Sequence, residues 1–128
     1  MIVGIGIDLI EVERIRAVYA RHGERFARRI LTASEYDYVM RFAEPSQRLA
    51  GRWAAKEAAF KALGTGLSDG IAWKDAEILP DDSGKPRLIF HGKALMRADA
   101  IGAQIRHVTI THSDTLAMAQ VILEKVQA

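Results

Sequence analysis

The chain has 128 residues, 49% hydrophobic and 27% charged, which is the composition of a globular protein with room for one real core and not for two. It has no cysteine, which excludes a disulfide framework, a thiol nucleophile and a cysteine zinc site. The net charge of +2, with a pI of about 9.1, suits an anionic partner without naming it.

In chain order, residues 2–9 predict a strand. Val3, Ile5, Ile7 and Leu9 share one face, and Gly4, Gly6 and Asp8 share the other. Glycines inside a strand cost stability and mark close approach by a backbone or a ligand. Asp8 ends that cleared face, where it can cap the next helix or hold a hard cation. The run GIGID is not a dinucleotide fingerprint, because the G-x-G-x-x-G spacing and its helix are missing. No apolar run reaches membrane-spanning length, and the start lacks a basic segment and a signal-peptide cleavage site. The expectation is a cytoplasmic protein.

Residues 11–22 predict an amphipathic helix, stopped at Gly23, with Val12, Ile15 and Tyr19 toward the core. Arg14, Val18, Arg21 and then Arg25 recur at helical spacing on another side. Such a stripe can dock an acidic helix or simply be a solvated face. Residues 26–31 predict another short helical piece. Thr32 to Glu35 spells T-x-x-E, a capping box that opens a helix running to about residue 41. Glu44-Pro45-Ser46 then breaks the chain.

Residues 48–66, RLAGRWAAKEAAFKALGTG, predict the central helix, with Gly64 as its stop. Leu49, Trp53, Phe60 and Leu63 form an apolar stripe, and Ala50, Ala54, Glu57 and Lys61 a neighbouring face of small residues with one acid and one base. Glu57 and Lys61 are four apart, which fits a surface salt bridge and equally a metal and a phosphate held side by side. Lys56 falls in the apolar stripe, where it must snorkel or find a partner. Beyond Gly66, residues 71–79 and 86–90 predict the strands of a hairpin around the turn at 80–84. Residues 91–101 predict a helix, and 105–111 and 116–123 strands joined at 112–114. The expectation is one α+β domain over 1–128, with helices packed against an antiparallel sheet.

Some tempting motifs fail on physical grounds. Gly64-Thr65-Gly66 follows a helix, whose C-terminal pole repels phosphate. His112, Ser113 and Asp114 are adjacent, whereas triad members meet in space. His91, His107 and His112 lack zinc spacing.

GIGIDLIEVERI at the start, RFARRILTASE at 25–35, AGRWAAKEAAFKALGTG at 50–66, GKP at 84–86 and ITHS at 110–113 stand in the order found in a known family. The chain resembles the small 4′-phosphopantetheinyl transferases, the holo-[acyl-carrier-protein] synthase family, over most of its length. W-x-x-K-E-A-x-x-K with an early G-x-D is specific to that superfamily. The resemblance implies a 4′-phosphopantetheinyl transferase-like α+β fold. It implies transfer of the phosphopantetheine arm of coenzyme A to a serine hydroxyl of an acyl carrier protein, in fatty acid biosynthesis, with adenosine 3′,5′-bisphosphate leaving. It implies Mg²⁺ held by Asp8 and Glu57, Lys61 near the phosphate, and Arg52 and His112 lining the coenzyme A site. Glu57, directly or through a water, is the choice for the general base. The carrier-docking surface maps to Arg14, Val18, Arg21, Arg25 and Phe26. The family is usually a homotrimer with sites between subunits. Residues 43–47 carry Pro45 where relatives can carry basic residues, which leaves the holding of the coenzyme A 3′-phosphate open. Rival readings are a nucleic-acid-binding domain and a noncatalytic interaction module. The 7% aromatic content, with no basic–aromatic run, argues against nucleic acid.

Overall fold

The computed structural model describes residues 1–68 and 70–127. Among them the elements run β1 (Ile2–Glu11), α1 (Val12–His22), α2 (Glu24–Ile30), α3 (Ala33–Val39) and α4 (Ser46–Leu63), then β2 (Ala76–Pro80), β3 (Pro86–Phe90), α5 (Gly92–Ile101), β4 (Ile105–His112) and β5 (Leu116–Glu124). The architecture is α+β. One antiparallel sheet has the order β1-β5-β4, and β2 and β3 form a separate hairpin.

Helix α4 organises the molecule. Alanine, leucine, arginine, lysine and glutamate dominate its sequence and favour the helix locally. Gly64 stops it at φ 80°, a left-handed conformation that glycine takes without cost, and its N–H bonds the carbonyls of Phe60 and Lys61. Leu49, Phe60 and Leu63 are fully buried, each contributing about 1.5–3 kcal/mol through lost water contact.

The register of the sheet decides which side chains meet α4. Gly6 pairs with Val121, which pairs with Val108; Asp8 pairs with Ala119, which pairs with Ile110. These rungs form the inner face. A Cβ added to Gly6 would lie 1.8 Å from the Ala58 carbonyl oxygen, and one on Gly4 2.2 Å from that of Ala62. The strand glycines therefore admit the helix backbone, not a ligand. Gly51, earlier in α4, sits against Ile110 of β4. The helix thus crosses the inner face from β4 at its start to β1 at its end.

Lys56 meets the demand placed on it by an apolar environment. It is fully buried, and its Nζ lies 2.8 Å from Glu35 Oε1. The capping box at Thr32 is present, with Thr32 N–H donating to Glu35 Oε1 at 2.9 Å and Glu35 N–H to Thr32 Oγ1 at 3.2 Å. One predicted strand is shorter than its sequence suggests. Residues 73–75 form a 3-10 turn, because Asp75 accepts the Ala72 N–H at 3.1 Å and its own N–H returns to the Ala72 carbonyl at 2.9 Å. Only Ala76–Pro80 joins the hairpin.

Candidate active site

The acid and base of α4 lie beside Asp8 of β1. Asp8 projects from the inner face of the strand, beyond the two glycines that let α4 approach. Lys61 Nζ lies 3.1 Å from Asp8 Oδ1 and donates to the Ile7 carbonyl at 3.0 Å. The sequence spacing offered Glu57 as the partner of Lys61; the pair formed is with Asp8 instead, because β1 brings a carboxylate to the exposed side of the helix. Asp8 does not cap α1, whose first turn has no side-chain cap.

Burial raises the proton affinity of Glu57, the nearby Asp8 charge raises it further, and Lys61 partly opposes both. Two carboxylates held close enough to repel are an unfavourable arrangement without a cation. The donor set is hard and all-oxygen, which fits Mg²⁺, an ion that takes one or two protein carboxylates and fills the rest of its shell with water and phosphate. Among the described residues no group of three or more histidines or acids is placed to hold a metal ion.

Arg52 and His112 stand elsewhere. They line a cavity of about 170 Å³ with Tyr38, Arg48, Ile110 and the hairpin residues Pro80, Gly84 and Pro86. Arg52 is buried, and burial lowers its proton affinity. Its guanidinium lies 4.7 Å from the centre of the Tyr38 ring, and its Nε has no hydrogen-bond partner among the described residues. Arg48, one helical turn earlier, lies 4.0 Å over the Phe42 ring. Neither arginine is in an ion pair with the acids of the described residues. Two stacked cations, one with an orphaned donor, around a small polar cavity can receive an anion. Arg48 and Tyr38 were not legible as site residues. The only signal for Arg48 was its position four residues before Arg52.

The two groups lie at opposite edges of the sheet. Asp8 is on β1, His112 is on β4, and β5 separates them. On α4, Glu57 is turned about 140° from Arg52 and about 180° from Arg48. The helix itself therefore stands between the carboxylates and the arginine cavity. A larger groove of about 620 Å³ between β3 and β4 holds none of the candidate residues.

The basic stripe is exposed but is not one helix. Arg14, Val18 and Arg21 share a face of α1, whereas Gly23 turns the chain at φ 57° and puts Arg25 and Phe26 on α2. Arg16 and Arg28 pair with Glu13 and Glu24. Arg14, Arg21 and Arg25 have no carboxylate partner among the described residues. Phe26 packs on Trp53 of α4, with ring centres 6.1 Å apart, and Trp53 packs on Trp73.

Residues 4–119 match the sequence model of the 4′-phosphopantetheinyl transferase superfamily. The chain belongs to this superfamily. Within it the chain is an enzyme of the small, holo-[acyl-carrier-protein] synthase type. It is 53% identical over 124 residues to the holo-[acyl-carrier-protein] synthase of Nitratidesulfovibrio vulgaris, covering 97% of this chain and 99% of that one. Among solved transferases, that of Neisseria meningitidis is similar with a TM-score of 0.88 and 34% identity, covering 98% of this chain and 100% of its own. That of Bacillus anthracis, solved in complex with CoA (3′,5′-ADP), gives 0.81 and 40%, covering 98% and 99%. The α+β arrangement of helices on an antiparallel sheet is therefore the transferase fold.

Proposed function

We propose that this transferase moves the 4′-phosphopantetheine arm from coenzyme A to a serine hydroxyl of an apo acyl carrier protein, in the supply of carriers for fatty acid synthesis. The observation that carries this reading is the meeting of Asp8 on β1 with Glu57 and Lys61 on α4. Asp8 and Glu57 are the ligands that Mg²⁺ would take; when bound, it would offset charge on the pyrophosphate. Lys61, half exposed and already at the carboxylate, supplies a point charge and three donors to the phosphate oxygens. Glu57 takes the serine proton, directly or through a water. The serine oxygen then forms its bond to the β-phosphorus as the bond to adenosine 3′,5′-bisphosphate breaks.

Arg52 and His112, with Arg48, hold the nucleotide end of coenzyme A in the cavity they line. That cavity and the carboxylate pair belong to one site only if a second copy brings them together. The outer face of the sheet supports such an assembly. Ile5, Ile7, Leu9, Leu116 and Met118 are exposed there, Ile5 and Leu9 each at 58%. Covering this face favours a homotrimer whose sites lie between neighbouring subunits. Arg14, Val18, Arg21, Arg25 and Phe26 receive the acidic carrier protein. No helix among the described residues is long and apolar enough to cross a membrane.

The test is mass spectrometry of an apo acyl carrier protein incubated with this protein, coenzyme A and Mg²⁺. The expected product is a carrier heavier by one phosphopantetheine group, and adenosine 3′,5′-bisphosphate in equal amount. An unmodified carrier after prolonged incubation with folded protein overturns the reading.

A further inference from the structure

The buried pair of Lys56 and Glu35 is connected beyond its own salt bridge. Lys56 Nζ donates to the Trp73 carbonyl at 3.2 Å and also to the Ala76 carbonyl. The second oxygen of Glu35 accepts the Ile78 N–H at 2.8 Å. Two side chains thus tie α3, α4, the 3-10 turn and β2 together in a water-free setting. Stability alone does not explain them, since a buried ion pair often does no better than apolar residues of similar volume.

The ties run to the walls of the arginine cavity. Tyr38 is one turn after Glu35 on α3. Arg52 is one turn before Lys56 on α4. Pro80 is two residues after Ile78 on β2. Glu35, Lys56 and Ile78 therefore each lie near a cavity residue on the same element, and α3, α4 and β2 build one side of the cavity, which β3, β4 and the hairpin turn complete. None of the ties reaches the opposite edge of the sheet, where Asp8 stands.

We propose that Lys56 and Glu35 are positioning residues for the cavity, setting the spacing of Arg52, Tyr38 and the hairpin so that it fits the nucleotide end of coenzyme A. This rests on the coenzyme A reading of the cavity. Neither residue touches substrate; they act through Arg52, Tyr38 and Pro80. A helix displaced by about an ångström costs binding steeply when the ligand is gripped from several elements.

The experiment compares wild type with the double variant Lys56→Met/Glu35→Leu, which replaces the ion pair by apolar side chains. Coenzyme A binding is measured by calorimetry, and the KM for coenzyme A, the KM for carrier and kcat by titrating each substrate. The double variant is expected to fold but to melt below wild type, because the Ile78 N–H and the Trp73 and Ala76 carbonyls lose these partners. Its coenzyme A Kd and KM should rise about tenfold, with carrier KM within about twofold. A folded double variant with wild-type coenzyme A affinity overturns the proposal, as does equal loss for both substrates, which is general loosening. If the double variant does not fold, Glu35→Gln decides. A glutamine amide has one acceptor oxygen, so either Lys56 or the Ile78 N–H loses its partner. About fivefold weaker coenzyme A binding with unchanged carrier KM supports the proposal, and unchanged coenzyme A binding overturns it. A wild-type protein that transfers nothing and binds no coenzyme A overturns the reading underneath, a result distinct from selective loss in the variants.

Discussion

Lys61 Nζ lies 3.1 Å from Asp8 Oδ1, so the lysine near the end of α4 is bonded to the strand that the helix packs upon. The lysine side chain is 53% exposed, and a pair so open to water contributes about 0–1 kcal/mol. Lys61→Met keeps the stem and removes the charge. The expected outcome is at least tenfold slower transfer, about 1.4 kcal/mol in the barrier, with a melting temperature within about 3 °C of wild type. Steady-state kinetics and a thermal melt on one preparation check it. Normal kinetics in a folded variant would return Lys61 to a surface salt bridge.

The two carboxylates carry the metal assignment. Asp8→Ala and Glu57→Ala should each lower transfer by more than about 100-fold, as loss of metal positioning does. Excess chelator should stop the wild type, and restored Mg²⁺ should restart it. Mg²⁺ should also raise the melting temperature of the wild type and leave that of Asp8→Ala unmoved. Full turnover in chelator would remove Mg²⁺ from the mechanism.

Glu57 gives a prediction whose sign follows from its raised proton affinity. A folded-state carboxyl that binds its proton more tightly than the unfolded one favours the fold below the unfolded value, near 4.5, and this is lost as pH rises through the folded value. At pH 7 without metal the ionised Glu57 therefore weighs against the fold. Glu57→Gln should raise the melting temperature of the metal-free protein at pH 7, and the gain should vanish below pH ~4. Melts at the two pH values in chelator check it. A variant less stable than wild type at pH 7 contradicts the electrostatic account.

Gly6 is fixed by sterics. A methyl group there meets the Ala58 carbonyl, which belongs to a helix backbone and cannot rotate aside. Gly6→Ala should destabilise the protein by about 3 kcal/mol or more, or prevent folding. Gly84→Ala is the contrasting case. A Cβ at Gly84 meets nothing within 4 Å, so only its φ of 90° opposes the change, at about 1–2 kcal/mol. Chemical denaturation of both variants ranks the two costs. Equal destabilisation would mean that α4 has room to move off the sheet.

Arg14 and Arg21 separate partner recognition from chemistry. Arg14→Glu and Arg21→Glu should each raise the carrier KM about tenfold, as like charges facing each other do, with coenzyme A affinity unchanged. Salt should weaken the wild-type interaction more than the variant one, because less attraction remains to be screened. Separate titrations of carrier and coenzyme A at two salt concentrations measure this. An unchanged carrier KM in both variants removes α1 from recognition and leaves the catalytic assignment standing.

Local sequence determined most of the elements. The stop of α4 at Gly64, the capping box at Thr32 and the glycine-cleared face of β1 follow from short-range rules, since each depends on the φ, side-chain oxygen or missing Cβ of the residue itself. Asp8, Glu57 and Lys61 were candidates from residue type and spacing, each with an ordinary alternative, and only the family resemblance chose between the readings. What met what was decided by packing. Lys61 turned to Asp8 because β1 delivered a carboxylate from 53 residues away, and Lys56 found Glu35 because α3, packed against β2, brought its carboxylate to α4. The helical spacing that joined Arg25 to Arg14 was broken by one positive φ at Gly23. The separation of the arginine cavity from the carboxylates is set by the order β1-β5-β4 and by α4 lying across it. Strand order is a non-local property: period-2 alternation fixes which face a residue takes, but the neighbours of a strand are settled only when the chain closes on its core.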